Sequence, residues 1–371
     1  MKRKKFIISG GGTGGHIFPA LAIAEELKLK YSDCDILFVG ANGRMEMEKI
    51  PDAGYEIKGL DVVGIQRSFS IKAIFKNLSF PFLLYKSLLN AKRIISSFKP
   101  DVVIGVGGYA SGPTLRMANK LGIPTLIQEQ NSYAGLTNKW LSKKANCICV
   151  AYQNMHQFFP ESKIVVTGNP VRQDLINIAS KRDEAMNFFK LKKDHKVILI
   201  IGGSLGAKSI NEGVLSTLDV IKDKPVQLLW QVGKRYQEKI ENELQHTKVD
   251  NVLNRAFIKR MDLAYAAADV VISRAGALSI SEITLIGKPS ILIPSPNVSE
   301  DHQTKNALSL VNQNAALLIK DDEAKKALES AVKLIDDTNQ MDVISSNAKS
   351  MGKPNATKDI VVEISKLGVK F

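Results

Sequence analysis

Short, unbroken apolar runs alternate along this chain with longer stretches whose apolar positions recur every three or four residues. The first run, FII at 6–8, suits a buried strand, and Ala20, Leu21, Ile23, Ala24 and Leu27 then repeat at helical spacing. Further strand signals are DILFVG (35–40), DVVIGVGG (101–108), PTLIQEQ (124–130) and CICVAY (147–152), then QLLWQVG (227–233), DVVISRAG (269–276) and PSILIPSP (289–296). Helical patterns separate them, which predicts mainly parallel sheets. At 195–219, HKVILIIGGSLGAKSINEGVLSTLD repeats the opening plan of strand, glycine turn and helix, so each half is predicted to be its own Rossmann-like α/β unit. Gly168, Asn169 and Pro170 break the pattern and mark a linker. The expected division is an N-terminal domain over 1–168 and a C-terminal domain over 169–352, with a terminal helix within 353–371 packing back on the first.

The first strand-to-helix turn holds Gly10, Gly11, Gly12, Gly14 and Gly15, followed directly by His16. Glycine there removes side chains that would block a ligand, and the free N–H groups and dipole of a helix start favour an anion such as phosphate. A tight turn without a ligand and a nicotinamide or flavin dinucleotide on G-x-G-x-x-G both fit the spacing as well. In parallel sheets ligands bind beyond the carboxyl ends of the strands. If two such sheets face each other across a deep cleft, three glycine loops meet there: 10–15, GGYASGP (107–113) and GGSLG (202–206). One pyrophosphate does not need three loops, whereas a donor and an acceptor do.

Length changes little in this picture, because 371 residues already suggest two domains. With 44% hydrophobic and 24% charged residues the chain reads as globular, and no apolar run reaches the roughly 18 residues of a membrane span. The run after the basic start, 6–8, is too short for a signal peptide. Cys34, Cys147 and Cys149 read as reduced thiols, the last two facing one side of a strand as core. Charge is more informative. Of the net +14, residues 1–172 hold 23 Lys and Arg against 12 Asp and Glu, and 62–100 hold seven basic residues and no acid. Within that stretch Ile71, Ile74 and Phe75 lie at helical spacing with Lys72 and Lys76 between them and Phe82 beyond, an amphipathic basic surface suited to anionic lipid. Core packing is the competing reading of that stripe. The absence of interleaved aromatic stacking positions along a basic groove argues against nucleic acid. No G-K-[ST] follows a glycine run, and DCD (33–35) precedes a strand, at the wrong edge for a metal-binding site.

GGGTGGHIFPALAIAEEL, VIGVGGYASGPTLRMA, IQEQNSYAGLTNKWL, TGNPVR, GGSLGAKSIN, ISRAGALSISEI and DHQTKNA, in that order, resemble the motifs of the MurG family of peptidoglycan glycosyltransferases, within glycosyltransferase family 28. The resemblance runs nearly end to end. It implies a GT-B fold and an inverting transfer of N-acetylglucosamine from UDP-N-acetylglucosamine to the C4 hydroxyl of MurNAc in lipid I, giving lipid II. It also implies peripheral attachment to the inner face of the cytoplasmic membrane, a part in cell-wall biogenesis with its links to cell shape and division, contacts with other cell-wall synthesis proteins, and no required cofactor or metal. A glycolipid glycosyltransferase, a UDP-N-acetylglucosamine 2-epimerase and a nucleotide-sugar binder without turnover are the alternatives.

The same resemblance distributes roles. Ile258 reads uracil through its main chain, Arg172 supports the diphosphate, and Asn131 and Gln303 hold the sugar hydroxyls. Thr13, Gly14 and Gly15 join the donor set, as do Ser204 at its glycine loop and Ala277, Leu278, Ser279, Ile280 and Ser281 at a helix start; Glu282 suits the ribose hydroxyls. Gly10, Gly11, Gly12, Gly107, Gly108, Tyr109 and Ser111 are expected at the acceptor pyrophosphate. His16 is the candidate base for the acceptor hydroxyl, with Glu129 as the other carrier of that role.

Overall fold

The computed structural model describes residues 3–62, 71–203, 205–247, 249–298 and 301–368, except the side chains of 71–80 and 173. Two units emerge, one formed by Met1–Arg172 with Asn355–Phe371 and the other by Gln173–Pro354.

In the first unit the chain runs β1 (Lys4–Ser9), α1 (Gly14–Lys30), β2 (Cys34–Ala41), α2 (Glu46–Asp52), β3 (Glu56–Leu60), α3 (Ile71–Phe98), β4 (Val102–Gly105), α4 (Ser111–Lys120), β5 (Thr125–Glu129), α5 (Leu136–Ser142), β6 (Cys147–Val150) and β7 (Ile164–Val166). The strands pair in parallel in the order β3-β2-β1-β4-β5-β6-β7. Strand alternation sets the layers. Phe6 and Ile8 of β1 join a core with Ile17, Ile23 and Leu27 of α1, while Ile7 faces Ile95, Leu115 and Leu141 from α3, α4 and α5. Because both faces are covered, the central strands carry unbroken apolar runs, FII in β1 and VVI in β4. Edge strand β3, reading EIKGL, is half polar, which hid it from the apolar pattern. Helix α3 continues through Pro81, where the ring withholds one backbone hydrogen bond.

The second unit holds α6 (Arg182–Phe189), β8 (Lys196–Ile201), α7 (Lys208–Leu215), β9 (Val226–Gln231), α8 (Gln237–Gln245), β10 (Val252–Arg255), α9 (Met261–Ala267), β11 (Val270–Ser273), α10 (Ala277–Ile286), β12 (Ser290–Leu292), α11 (His302–Val311), β13 (Leu317–Leu318), α12 (Ala327–Asp336) and α13 (Thr338–Ser350). Its parallel order is β10-β9-β8-β11-β12-β13. The chain then returns to the first unit as α14 (Ala356–Gly368).

Helix α14 packs where β1 and α1 leave an apolar face: Ile360, Val361 and Ile364 are buried in the core of Phe6 and Ile8. Burial of each contributes roughly 1.5–3 kcal/mol. Lys4 Nζ donates to Gly368 O (2.8 Å) and Tyr31 Oη to Ser365 Oγ (2.8 Å). Cys147 and Cys149 belong to the same core. Asp33 and Asp35 hold the Arg3 guanidinium at 2.9 and 3.0 Å, at the amino ends of the strands.

Candidate active site

Strand order reverses between β1 and β4 in the first unit and between β8 and β11 in the second, so each sheet opens a crevice at its carboxyl edge there. In the first unit the β1–α1 turn and the loop after β4 line that crevice. They interlock. A Cβ on Gly108 would stand 2.4 Å from Gly11 O, one on Gly10 2.2 Å from Val106 Cγ2, and one on Gly107 2.8 Å from His16 Nε2. Three glycines expected to clear space for pyrophosphate therefore let two loops touch. Gly12 differs, since nothing lies within 4 Å of the place of its Cβ.

The Ser111 hydroxyl is fully buried and lies within donating distance of Ser9 O (2.7 Å) and Gly107 O (2.9 Å), so it braces the loop from beneath. Tyr109, by contrast, is exposed. At the head of α1, Thr13 occupies the N-cap without a side-chain capping bond, and the first turn carries no acid. Gly14 and Gly15 thus present main-chain N–H groups at a helix start of favourable dipole.

His16 sits in that first turn, with Nδ1 2.9 Å from Gly11 O. A carbonyl only accepts, so Nδ1 carries the hydrogen, and in the neutral ring the lone pair is then on Nε2. Sequence reasoning missed Glu46. This carboxylate is 1% exposed and accepts from Gly12 N (2.7 Å) and Ala41 N (3.0 Å), so the Gly12 N–H is not available to an anion.

Glu129, the other candidate base, is also buried and saturated. One oxygen accepts from Asn131 N (3.1 Å) and Asn131 Nδ2 (3.3 Å), the other from Gly135 N (2.9 Å) and Asn138 Nδ2 (2.8 Å). Four donors occupy the carboxylate, which shapes the Asn131 loop. Behind it Gln130 Nε2 donates to Val106 O (2.8 Å) and Asn169 Nδ2 to Gln130 O (3.0 Å), so part of the expected linker is buried and tied to β5. Arg172 lies over the Phe18 ring at 5.7 Å, near the head of α1.

The second crevice has the same plan. A Cβ on Gly206 would stand 2.2 Å from Val232 O, and one on Gly233 2.5 Å from Gly206 N. Ser204 lies outside the described residues. Gln231 crosses beneath, its Nε2 donating to Gly203 O (3.0 Å) and its Oε1 accepting from Ile258 N (2.8 Å). The Ile258 N–H is thus engaged, which leaves its carbonyl as the group to address a base. Helix α10 starts at Ala277 behind Gly276, again without a side-chain cap, so Ala277, Leu278 and Ser279 offer first-turn N–H groups. Ile280 is 2% exposed and belongs to the core, and Ser281 Oγ donates back to Ala277 O (2.9 Å). Glu282 accepts from the buried Tyr265 hydroxyl at 3.0 Å. Gln303 Oε1 takes Ser295 N–H (2.9 Å), which turns its amide nitrogen into the group it can offer. Arg274 donates to Ile293 O (3.1 Å), Ser209 Oγ (2.8 Å) and Asp321, locking the loop after β11 to the start of α7.

The glycosyltransferase family 28 N-terminal domain matches residues 6–150, and the family's C-terminal domain matches 197–363. The chain belongs to glycosyltransferase family 28. It is 55% identical over 371 residues to the UDP-N-acetylglucosamine–N-acetylmuramyl-(pentapeptide) pyrophosphoryl-undecaprenol N-acetylglucosamine transferase of Flavobacterium psychrophilum, covering 99% of this chain and 98% of that one. The protein of the same name from Christiangramia forsetii is 53% identical, covering 98% and 97%. Among solved structures, Acinetobacter baumannii MurG superimposes with a TM-score of 0.76 at 32% identity, covering 98% of this chain and 99% of that one. A UDP-GlcNAc 2-epimerase from Neisseria meningitidis bound to UDP-GlcNAc gives 0.67 at 18% identity, covering 98% and 100%, a likeness of fold alone. Two parallel-sheet units of the GT-B class are thus the family 28 architecture here. Glu46, Tyr265 and Gln231 escaped the sequence reading of this family 28 chain because each reads locally as ordinary helix or strand, and only the fold shows what each holds.

Proposed function

We propose that this enzyme transfers N-acetylglucosamine from UDP-N-acetylglucosamine to the C4 hydroxyl of the MurNAc residue of undecaprenyl-pyrophosphoryl-MurNAc-pentapeptide, inverting the anomeric carbon and forming lipid II for peptidoglycan synthesis. One observation supports this above the rest: an imidazole whose Nδ1 lies 2.9 Å from Gly11 O stands at an uncapped, glycine-rich helix start in the switch-point crevice of the first unit. In the reaction His16 Nε2 takes the C4–OH proton as that oxygen bonds to C1 of the sugar. The C1–O bond to the diphosphate breaks, and its electron pair leaves on UDP. The first-turn N–H groups of α10 and the Arg172 guanidinium meet the developing charge, and Glu282 holds the ribose hydroxyls. Glu129 orders the loop that carries Asn131 for the sugar. Gln303 serves the sugar as well, and Ser204 enters this reading from sequence alone. No metal or cofactor takes part.

Peripheral attachment to the inner membrane face belongs to the same proposal. Phe82, Tyr85 and Leu89 are exposed along one side of α3, and Leu136 and Trp140 along α5, where Arg116 lies 5.6 Å from the Trp140 ring and Lys143 and Lys144 are exposed. Exposed aromatics beside lysines suit an anionic lipid interface. The side chains of Ile71, Lys72, Ile74, Phe75 and Lys76 lie outside the described residues. Among the described residues no helix is long and apolar enough to cross a membrane. The test is transfer of labelled N-acetylglucosamine to a lipid I analogue, with His16→Ala slowing it about 100-fold. Consumption of UDP-N-acetylglucosamine without any acceptor would point to an epimerase instead.

A further inference from the structure

Glu46 is a buried carboxylate whose position two glycines make possible. A Cβ on Gly11 would stand 2.2 Å from Glu46 Cδ, and one on Gly40 2.6 Å from Glu46 Cγ. The side chain therefore fills a slot between the ends of β1 and β2. Among the described residues its hydrogen-bond partners are two main-chain donors, Gly12 N at 2.7 Å and Ala41 N at 3.0 Å. Burying a charge there is costly, and two N–H bonds offset that cost only while both are well formed. The peptide it grips from one side is the one gripped by catalysis from the other: Gly11 O accepts from His16 Nδ1 at 2.9 Å. Pulling on the Gly12 N–H polarises the Gly11 carbonyl of the same peptide, which strengthens its hold on Nδ1–H.

We propose that Glu46 is a positioning residue for the transfer step, fixing the Gly11–Gly12 peptide so that its carbonyl holds His16 in the tautomer with Nε2 unprotonated. The arrangement follows the logic by which a catalytic imidazole is oriented through its other nitrogen, here through a peptide relay with no direct carboxylate contact. Of the charged groups at the head of α1, Glu46 lies behind the turn and Arg172 beside Phe18, so the carboxylate also favours the imidazolium that forms as the proton arrives. This inference rests on His16 being the base.

Nitrogen NMR of the histidines in the wild-type protein tests it without a variant, His16 being assigned by its loss in His16→Ala. The expected spectrum has His16 protonated at Nδ1 when neutral, and an Nε2–H tautomer would overturn the proposal. Glu46→Gln keeps the shape but turns an amide NH2 toward one N–H donor. It should lower kcat about tenfold or more with KM for UDP-N-acetylglucosamine unchanged, mix the His16 tautomers, and move the acidic limb of the rate profile to lower pH. Gly40→Ala, which displaces the same side chain without removing its charge, should also lower kcat and mix the tautomers. Normal kcat in both variants, or lowered kcat with an unchanged His16 spectrum, refutes the role of Glu46. Normal turnover in His16→Ala refutes the base assignment itself.

Discussion

Gly12 and Gly108 offer a controlled comparison, because their backbones are alike and their surroundings are not. Their φ values are +86° and +87°, so alanine at either carries a similar left-handed strain of about 1 kcal/mol. At Gly12 nothing lies within 4 Å of the new methyl, whereas at Gly108 it would stand 2.4 Å from Gly11 O and 3.1 Å from Gly11 N, both main chain. Such atoms yield only if the two loops part, and overpacking of this kind costs about 1–3 kcal/mol more. Gly108→Ala should therefore lower the stability of the first unit by about 2–4 kcal/mol and Gly12→Ala by about 1. For a unit of this size the two melting points should differ by several degrees, at roughly 2–4 °C per kcal/mol. The assay can separate the units, because Trp230 is fully buried in the second and Trp140 is exposed in the first. A calorimetric transition that Trp230 fluorescence does not follow belongs to the first unit. Equal losses in the two variants would refute the idea that Gly108 is a glycine because loops touch there.

Glu282→Ala should weaken UDP binding by about 2–3 kcal/mol in calorimetry, and Tyr265→Phe, which removes only its neutral anchor, by about 1; unchanged affinity in both removes the pair from the donor site. Replacing Phe82 and Trp140 together by serine should release the protein from anionic vesicles while leaving UDP affinity intact, and unchanged vesicle binding would argue against these helix faces as the docking surface. Burial lowers the Lys288 pKa to about 8, and its ammonium donates to Ala268 O behind α9. The unfolded chain then binds more protons than the folded one between about pH 8 and the ordinary lysine value near 10.4, so stability rises with pH across that window. Urea titrations followed by Trp230 should show wild type gaining on Lys288→Met over this range, and parallel curves would refute the shift.

The layers of both units were legible because buried parallel strands are written as apolar runs, as in KVILII of β8 and DVVI ahead of β4's end. Strands β3, β7, β10 and β13 were not. Each lies at or next to a sheet edge, is short, and reads as polar or too brief to stand out, and a neighbouring strand's hydrogen bonds define it more than its side chains do. Helix α3 was legible as an amphipathic start, but its passage through Pro81 was not, since proline in a sequence marks a stop.

For the site, the glycines showed where and not why. A glycine kept for a ligand and one kept for a neighbouring loop are the same letter, and only the place of the missing Cβ tells Gly12 from Gly108. The polar residues divide in the same way. Ser111, Glu129 and the Ile258 N–H are all groups that can bind a ligand, yet each already has protein partners, and a buried group that is satisfied has little to gain by turning to substrate. His16 differs in what its contact with Gly11 does. In the role proposed for it, that bond uses the nitrogen that is protonated in the neutral base, so the contact that fixes the ring also selects the tautomer the reaction needs.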